Sequence, residues 1–219
     1  MGKYDIKFVS QSGQVEMVKV EVLDSAELIK SWITERLQRM LQEGEHIVGL
    51  DLQANKNRCC DCSANSLLVI YINNENCLVV QLKYVGKIPE PLKKFLGNRR
   101  ICFMGVGLDR KLSRVPHLQV CRTVELSYLA ARIRKEQSYC NSDLRALAAL
   151  YEVPYEPLAS GACCCGGRGR INYEARVFLN QEVKALVRDA YVCYKIWQRL
   201  VEALPRERSE DSGARCLRL

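Results

Sequence analysis

The chain has 219 residues, 48% hydrophobic and 26% charged, with a net charge of +8 and 12 cysteines. That is enough apolar chain for one sizeable core, and no apolar run approaches the roughly 20 residues that cross a bilayer, which excludes disordered, collagenous and membrane-spanning classes. The positive balance suits a phosphate-bearing partner such as nucleic acid.

Twelve cysteines with no apolar leader after Met1 read as reduced thiols in a cytoplasmic or nuclear protein, not as a disulfide framework. Ile6 breaks the Gly2 myristoylation pattern, and Arg218 is a poor fit in a terminal prenylation box at Cys216-Leu217-Arg218-Leu219.

In chain order, residues 4–8 and 15–22 alternate apolar with polar around Gln11-Ser12-Gly13, which predicts an N-terminal β-hairpin. Asp24 is the expected cap of the next helix, with Glu27 at the capping-box position. Leu28, Ile29, Trp32, Ile33, Leu37, Met40 and Leu41 follow at helical spacing, and Gly44 ends the helix. The apolar run from Ile47 to Asp51 reads as a buried strand. Leu67–Ile72 and Cys77–Leu82 are strands joined by Asn73-Asn74-Glu75-Asn76, the best hairpin signal in the chain.

Pro89 and Pro91 open a short helix to Leu96. Ile101–Val106 is another buried strand, followed by helix between Gly107 and Val115. Thr123 is expected to cap a helix running through Arg134, and Asp143–Tyr151 makes another. Residues 154–172, rich in Pro, Gly and Cys, form a long loop before a final helix over 181–204. With no internal repeat and no linker, the reading is one domain over 1–204 and a charged, disordered tail over 205–219. Strands first, then alternating strands and helices, predict an α/β fold with a mixed sheet and helices on both faces.

The candidate chemistry starts at Ile47-Val48-Gly49-Leu50-Asp51-Leu52-Gln53. Side chains alternate along a strand, so Asp51 and Gln53 share a face. Asp-x-Glu at the end of a buried strand opens the metal site of many nucleases; here the glutamate has become its uncharged isostere. The alternative for Asp51 alone is a strand-end aspartate capping the next turn.

Two further segments change that weight: Phe103-Met104-Gly105-Val106-Gly107-Leu108-Asp109 and, in the last helix, Asp189-Ala190-Tyr191. In this order the three resemble the DEDD superfamily of 3′–5′ exonucleases, over about residues 25–204. The resemblance takes in Trp32-Ile33, Val79-Val80-Gln81-Leu82, Ile88-Pro89 through Phe95-Leu96, and Gln181 to Leu200. The chain looks most like the Werner-type branch and its small plant exoribonucleases that clear RNA fragments left by the silencing complex. The resemblance implies a ribonuclease H-like (DnaQ-like) fold. It also implies hydrolysis at the 3′ end of single-stranded RNA by two Mg²⁺ or Mn²⁺ ions about 3.5–4 Å apart, held by carboxylates.

Carried over by position, Asp51 and Asp189 match the first and last carboxylates and become the metal ligands; with Asp109 they are the catalytic candidates. Gln53, Arg110 and Lys111 are the substrate-binding candidates. Gln53 stands where the family has glutamate, Lys111 where it has aspartate, and Ala185 where it has the water-positioning tyrosine.

Two arrangements would restore a full site: Asp109 turned inward with Lys111 in solvent, or acid groups from a neighbouring subunit of a homo-oligomer. The alternative is a catalytically impaired relative that binds nucleic acid or a partner protein, and a third reading is an interaction scaffold that keeps only the fold. Cys60 and Cys62 with one of Cys163, Cys164 and Cys165 are a weaker metal set than free thiols, because adjacent cysteines converge poorly on one tetrahedral ion. His46 and His117, the only histidines, sit in no recognisable base context, which disfavours Cys–His catalysis.

Overall fold

Residues 68, 70 and 72 point to one side of a strand and residues 67, 69 and 71 to the other, and all six are apolar. A strand written this way is apolar on both faces and needs a layer on each side. In the computed structural model, which describes residues 1–9, 13–54, 66–73, 75–156, 171 and 175–203, it lies in the middle of a seven-stranded sheet. The strands are β1 (Gly2–Val9), β2 (Val15–Leu23), β3 (Ile47–Ala54), β4 (Ser66–Ile72), β5 (Asn76–Gln81), β6 (Cys102–Gly105) and β7 (Thr123–Glu125), in the order β1-β2-β5-β4-β3-β6-β7. β2 pairs parallel with β5, and β6 parallel with both β3 and β7, while the β1–β2, β5–β4 and β4–β3 pairs are antiparallel. The sheet is therefore mixed, with the expected N-terminal hairpin at one edge.

The helices are α1 (Ala26–Gln42), α2 (Leu82–Val85), α3 (Glu90–Leu96), α4 (Leu108–Leu112), α5 (Leu126–Arg134), α6 (Leu144–Leu150) and α7 (Asn180–Glu202). Two apolar layers divide them between the faces. Val48, Leu50, Leu68, Ile70, Leu78, Val80 and Phe103 pack with α1 and α3. Leu67, Val69, Tyr71, Cys77, Val79 and Met104 pack with α5, α6 and α7. β4 is buried at every position, so both of its faces belong to the core.

Helix α7 carries the largest buried stripe: Val183, Leu186, Val187, Ala190, Tyr191 and Tyr194 follow helical spacing onto the sheet. It also holds the hairpin. Phe8 stacks on Tyr191 with centroids 4.0 Å apart, and the Tyr191 hydroxyl donates to Glu16 at 3.2 Å.

Two caps differ from expectation. Ser25, not Asp24, is the N-cap of α1. Its hydroxyl donates to Glu27 at 2.8 Å, while Asp24 is turned toward Arg176 at 3.4 Å. Thr123 begins β7 instead of capping a helix, and α5 starts after Glu125. The open edge of β6 decides this: pairing Phe103 with Thr123 and Met104 with Val124 satisfies backbone groups that a helix at 123 would leave exposed. The helix expected over Asp143–Tyr151 is α6, and Asp143 is its N-cap, accepting from the Ala146 N–H at 2.8 Å. The cysteine groups at 59–62 and 163–165, Arg168, Arg170 and the tail 205–219 lie outside the described residues.

Candidate functional site

Residues 48, 50 and 52 of β3 face α1 and α3, so Gly49, Asp51 and Gln53 face α7. The helix lies directly on them. A Cβ at Gly49 would stand 2.2 Å from the Ala190 carbonyl oxygen, so only glycine admits this approach. Four residues along, the Gln53 side-chain amide donates to the Leu186 carbonyl at 2.8 Å. Asp51 lies between these two contacts, only 2% exposed, facing the helical turn that carries Asp189.

The third element arrives from β6. Its chain turns at Gly107, whose φ of +67° is the left-handed conformation that glycine takes without strain, and α4 begins. The Glu125 carboxylate fixes this start: it accepts from the Gly107 N–H at 2.8 Å and from the Leu108 N–H at 3.2 Å. One turn later Lys111 reaches back to the sheet, and its Nζ lies 2.6 Å from Asp51 Oδ1. The cluster thus sits just past the stretch where β3 and β6 pair in parallel, with Asp51 still within β3.

Asp189 has its own cation. Arg188 Nη2 lies 2.7 Å from Asp189 Oδ1, and Arg188 Nε donates to the same oxygen at 2.8 Å. The guanidinium stacks 4.2 Å over the Tyr155 ring and donates to the Glu156 carbonyl at 2.9 Å. The Tyr155 hydroxyl donates to Asp189 Oδ1 at 3.4 Å. Burial, then the charge of Asp51, raises the Asp189 pKa above the usual carboxylate value, while Arg188 and Lys111 pull it down. Burial, then Asp189, pushes Tyr155 up to about 12. Cys193, one turn beyond Asp189, is held well above the usual thiol value by burial and then Asp51, so it is an inert thiol.

Burial disfavours the Lys111 ammonium, but the charge and hydrogen bond of Asp51 outweigh it and raise its pKa above 10.5. A folded pKa above the unfolded one stabilises fully below the unfolded value and is lost as pH rises through the folded value. The urea midpoint of the wild type should therefore fall as pH rises above about 10.5, whereas that of an Asp51→Asn/Lys111→Met double variant should fall less. Parallel pH profiles for the two proteins would contradict the pairing.

Of the residues expected from sequence, Asp51 and Asp189 are brought together and Lys111 joins them. Asp109 and Arg110 are exposed on α4, so the arrangement with Asp109 inside and Lys111 in solvent is reversed. The reason is electrostatic: a buried carboxylate is costly without a cation, and Lys111 supplies one from the adjacent turn. Gln53 is tied to the α7 backbone through the Leu186 carbonyl. Arg188 and Tyr155 were not expected. Neighbouring residues on a helix do not face each other, which hides the Arg188–Asp189 pair, and Tyr155 lies in an aperiodic stretch.

The donors do not fit a pair of divalent ions. One oxygen of Asp51 is held by an ammonium, and one oxygen of Asp189 by a guanidinium and a phenol. Among the described residues, no group of three or more His, Cys, Asp or Glu side chains is placed to hold a metal. Two carboxylates face two cations, and the cluster is close to neutral.

The chain matches no protein-family model and no curated protein. Among solved structures it is similar to the EXD2 exonuclease domain, at 23% identity and a TM-score of 0.46, covering 84% of this chain and 90% of that one. The same domain soaked in Mn and Mg aligns at 23% identity and a TM-score of 0.45 over 84% and 89% of the two chains. Soaked in Mn and dGMP, it aligns at 24% and 0.44 over 84% and 90%. No helix among the described residues is long and apolar enough to cross a membrane.

Proposed function

We propose that this protein is an exonuclease-like nucleic-acid-binding protein that takes single-stranded RNA at the Asp51–Lys111–Asp189 cluster without two-metal hydrolysis. The observation that carries the reading is the Lys111 ammonium 2.6 Å from the buried Asp51 carboxylate. An amine in that place opposes a divalent ion: a unit charge and a double charge of like sign about 4 Å apart repel by about 8 kcal/mol at an effective dielectric of 20.

Three further features support it. The resemblance to DEDD exonucleases rests on Asp51 and Asp189, and these are the two carboxylates that β3 and α7 bring face to face. Lys93, Lys94, Arg99, Arg100, Arg110, Arg132, Arg134 and Lys135 are exposed, in keeping with the net charge of +8. The Lys111 side chain is 26% exposed, so its amine is within reach of a phosphate oxygen. The same reading places the protein in the cytoplasm or nucleus.

The test is fluorescence anisotropy with 3′-labelled single-stranded RNA, single-stranded DNA and duplex. Binding should persist in a chelator, favour single-stranded RNA, and weaken with salt at a log–log slope of about −0.7 per phosphate neutralised. The 3′ label should stay intact in Mg²⁺ or Mn²⁺. Metal-dependent loss of the label that disappears in Asp51→Ala would establish a hydrolase instead. If that activity appeared only in an oligomer by light scattering, the site would be shared between subunits.

A further inference from the structure

A cation already occupies this site, and the chain carries it. Asp51 on β3 lies close enough to Asp189 on α7 for its charge to act there, and Lys111 on α4 pairs with Asp51 at 2.6 Å and also acts on Asp189. Three backbone contacts fix the arrangement: α7 rests on Gly49, Gln53 grips the Leu186 carbonyl, and Glu125 holds the start of α4. The carboxylates are therefore held in place by the fold as well as by the cations between them.

We infer that Lys111 is a tethered counter-ion which, with Arg188 on Asp189, makes this site independent of divalent metal, and that the same carboxylates take up a soluble divalent ion once the Lys111 amine is removed. The inference rests on the metal-free reading of the site given above. It follows from the geometry in two steps. First, a carboxylate only 2% exposed needs a compensating positive charge. Second, losing the amine leaves two oxygen-bearing anions facing a space the size of an ammonium group, and hard divalent cations seek oxygen ligands of that kind. Methionine suits the test because it follows the lysine stem but stops short of the amine. Aspartate goes further and supplies a third carboxylate from α4. An ordinary structural ion pair predicts neither gain.

The experiment uses the full chain, with Mn²⁺ and Mg²⁺ as probes, read by calorimetry and by thermal midpoint. Wild type should show no binding heat and no shift. Lys111→Met should bind one Mn²⁺, with a midpoint rise of roughly 5–10 °C at about 100 times its Kd. Lys111→Asp should bind about tenfold more tightly or better, since each added carboxylate strengthens a hard-cation site.

Asp51→Asn/Lys111→Met, which lacks both partners, should not respond; a response there would mean that the cysteines or the surface bind the ion, and would overturn the inference. If Lys111→Met is unfolded alone, recovery of its far-UV circular dichroism on adding Mn²⁺ supports the inference, and no recovery counts against it. Folded Lys111→Met and Lys111→Asp proteins that both ignore Mn²⁺ overturn it while leaving the metal-free reading intact. A wild type that itself binds Mn²⁺ stoichiometrically overturns that reading instead.

Discussion

Lys111→Met is expected to lower the free energy of unfolding by about 3 kcal/mol, the lower end of the 3–5 kcal/mol that follows removal of one partner from a buried ion pair. The lower end applies because the Lys111 side chain is 26% exposed, so water reaches the amine and already screens part of the interaction. Asp51 makes the loss large all the same. At 2% exposure it cannot recover hydration when its partner goes, and the neighbouring negative charge of Asp189 adds to the cost. Urea unfolding at neutral pH without divalent ions measures it.

The Asp51→Asn/Lys111→Met double variant should regain most of the loss, because no uncompensated charge remains. Similar destabilisation in single and double variants would mean that the lysine acts through packing of its stem. A single variant as stable as wild type would mean that the 2.6 Å contact contributes little.

Gly49→Ala is the second large expected effect. The added Cβ would stand 2.2 Å from the Ala190 carbonyl oxygen and 3.2 Å from the Tyr194 Cβ. The first of these is backbone in the middle of a 23-residue helix, so no rotamer change relieves it. Helix α7 must move off β3, at a cost of about 3 kcal/mol or more, above the usual 1–3 for an overpacked core. Alanine limits the unfolded chain and returns up to about 1 kcal/mol, which does not reverse the sign.

The same displacement draws Asp189 from Asp51 and strains the hydrogen bond from Gln53 to Leu186. RNA affinity should therefore fall together with stability. An alanine variant with wild-type stability would show that the helix tolerates a wider seat, and the close contact would then not define the site.

Tyr155 and Arg188 complete the surroundings of Asp189. Ala185 leaves the last helix without a tyrosine hydroxyl near Asp189, yet a phenol still reaches that carboxylate, from the segment after α6 at 3.4 Å. It arrives together with a guanidinium that also holds the Glu156 carbonyl. The same guanidinium thus holds both the Glu156 carbonyl and the Asp189 carboxylate.

What the sequence by itself determined is periodic. The unbroken apolar runs Leu67–Ile72 and Cys77–Val80 required a sheet covered on both faces. The apolar rise to Asp51 set a carboxylate in a buried strand, and the stripe from Val183 to Leu200 specified the helix that lies on it. These follow from the backbone repeats of two and 3.6 residues, which are local properties.

Only the tertiary structure decided where the long polar side chains ended. Lys111 turned in and Asp109 stayed out. Gln53 went to a helix carbonyl, Arg188 reached its neighbour's carboxylate, and Thr123 was drawn into an edge strand. Lys111, Gln53 and Thr123 each met a partner distant in the chain, and no periodicity records such a partner. A lysine on a short helix lies in solvent by default, and a buried aspartate 60 residues earlier in the chain made the inward position the lower in energy.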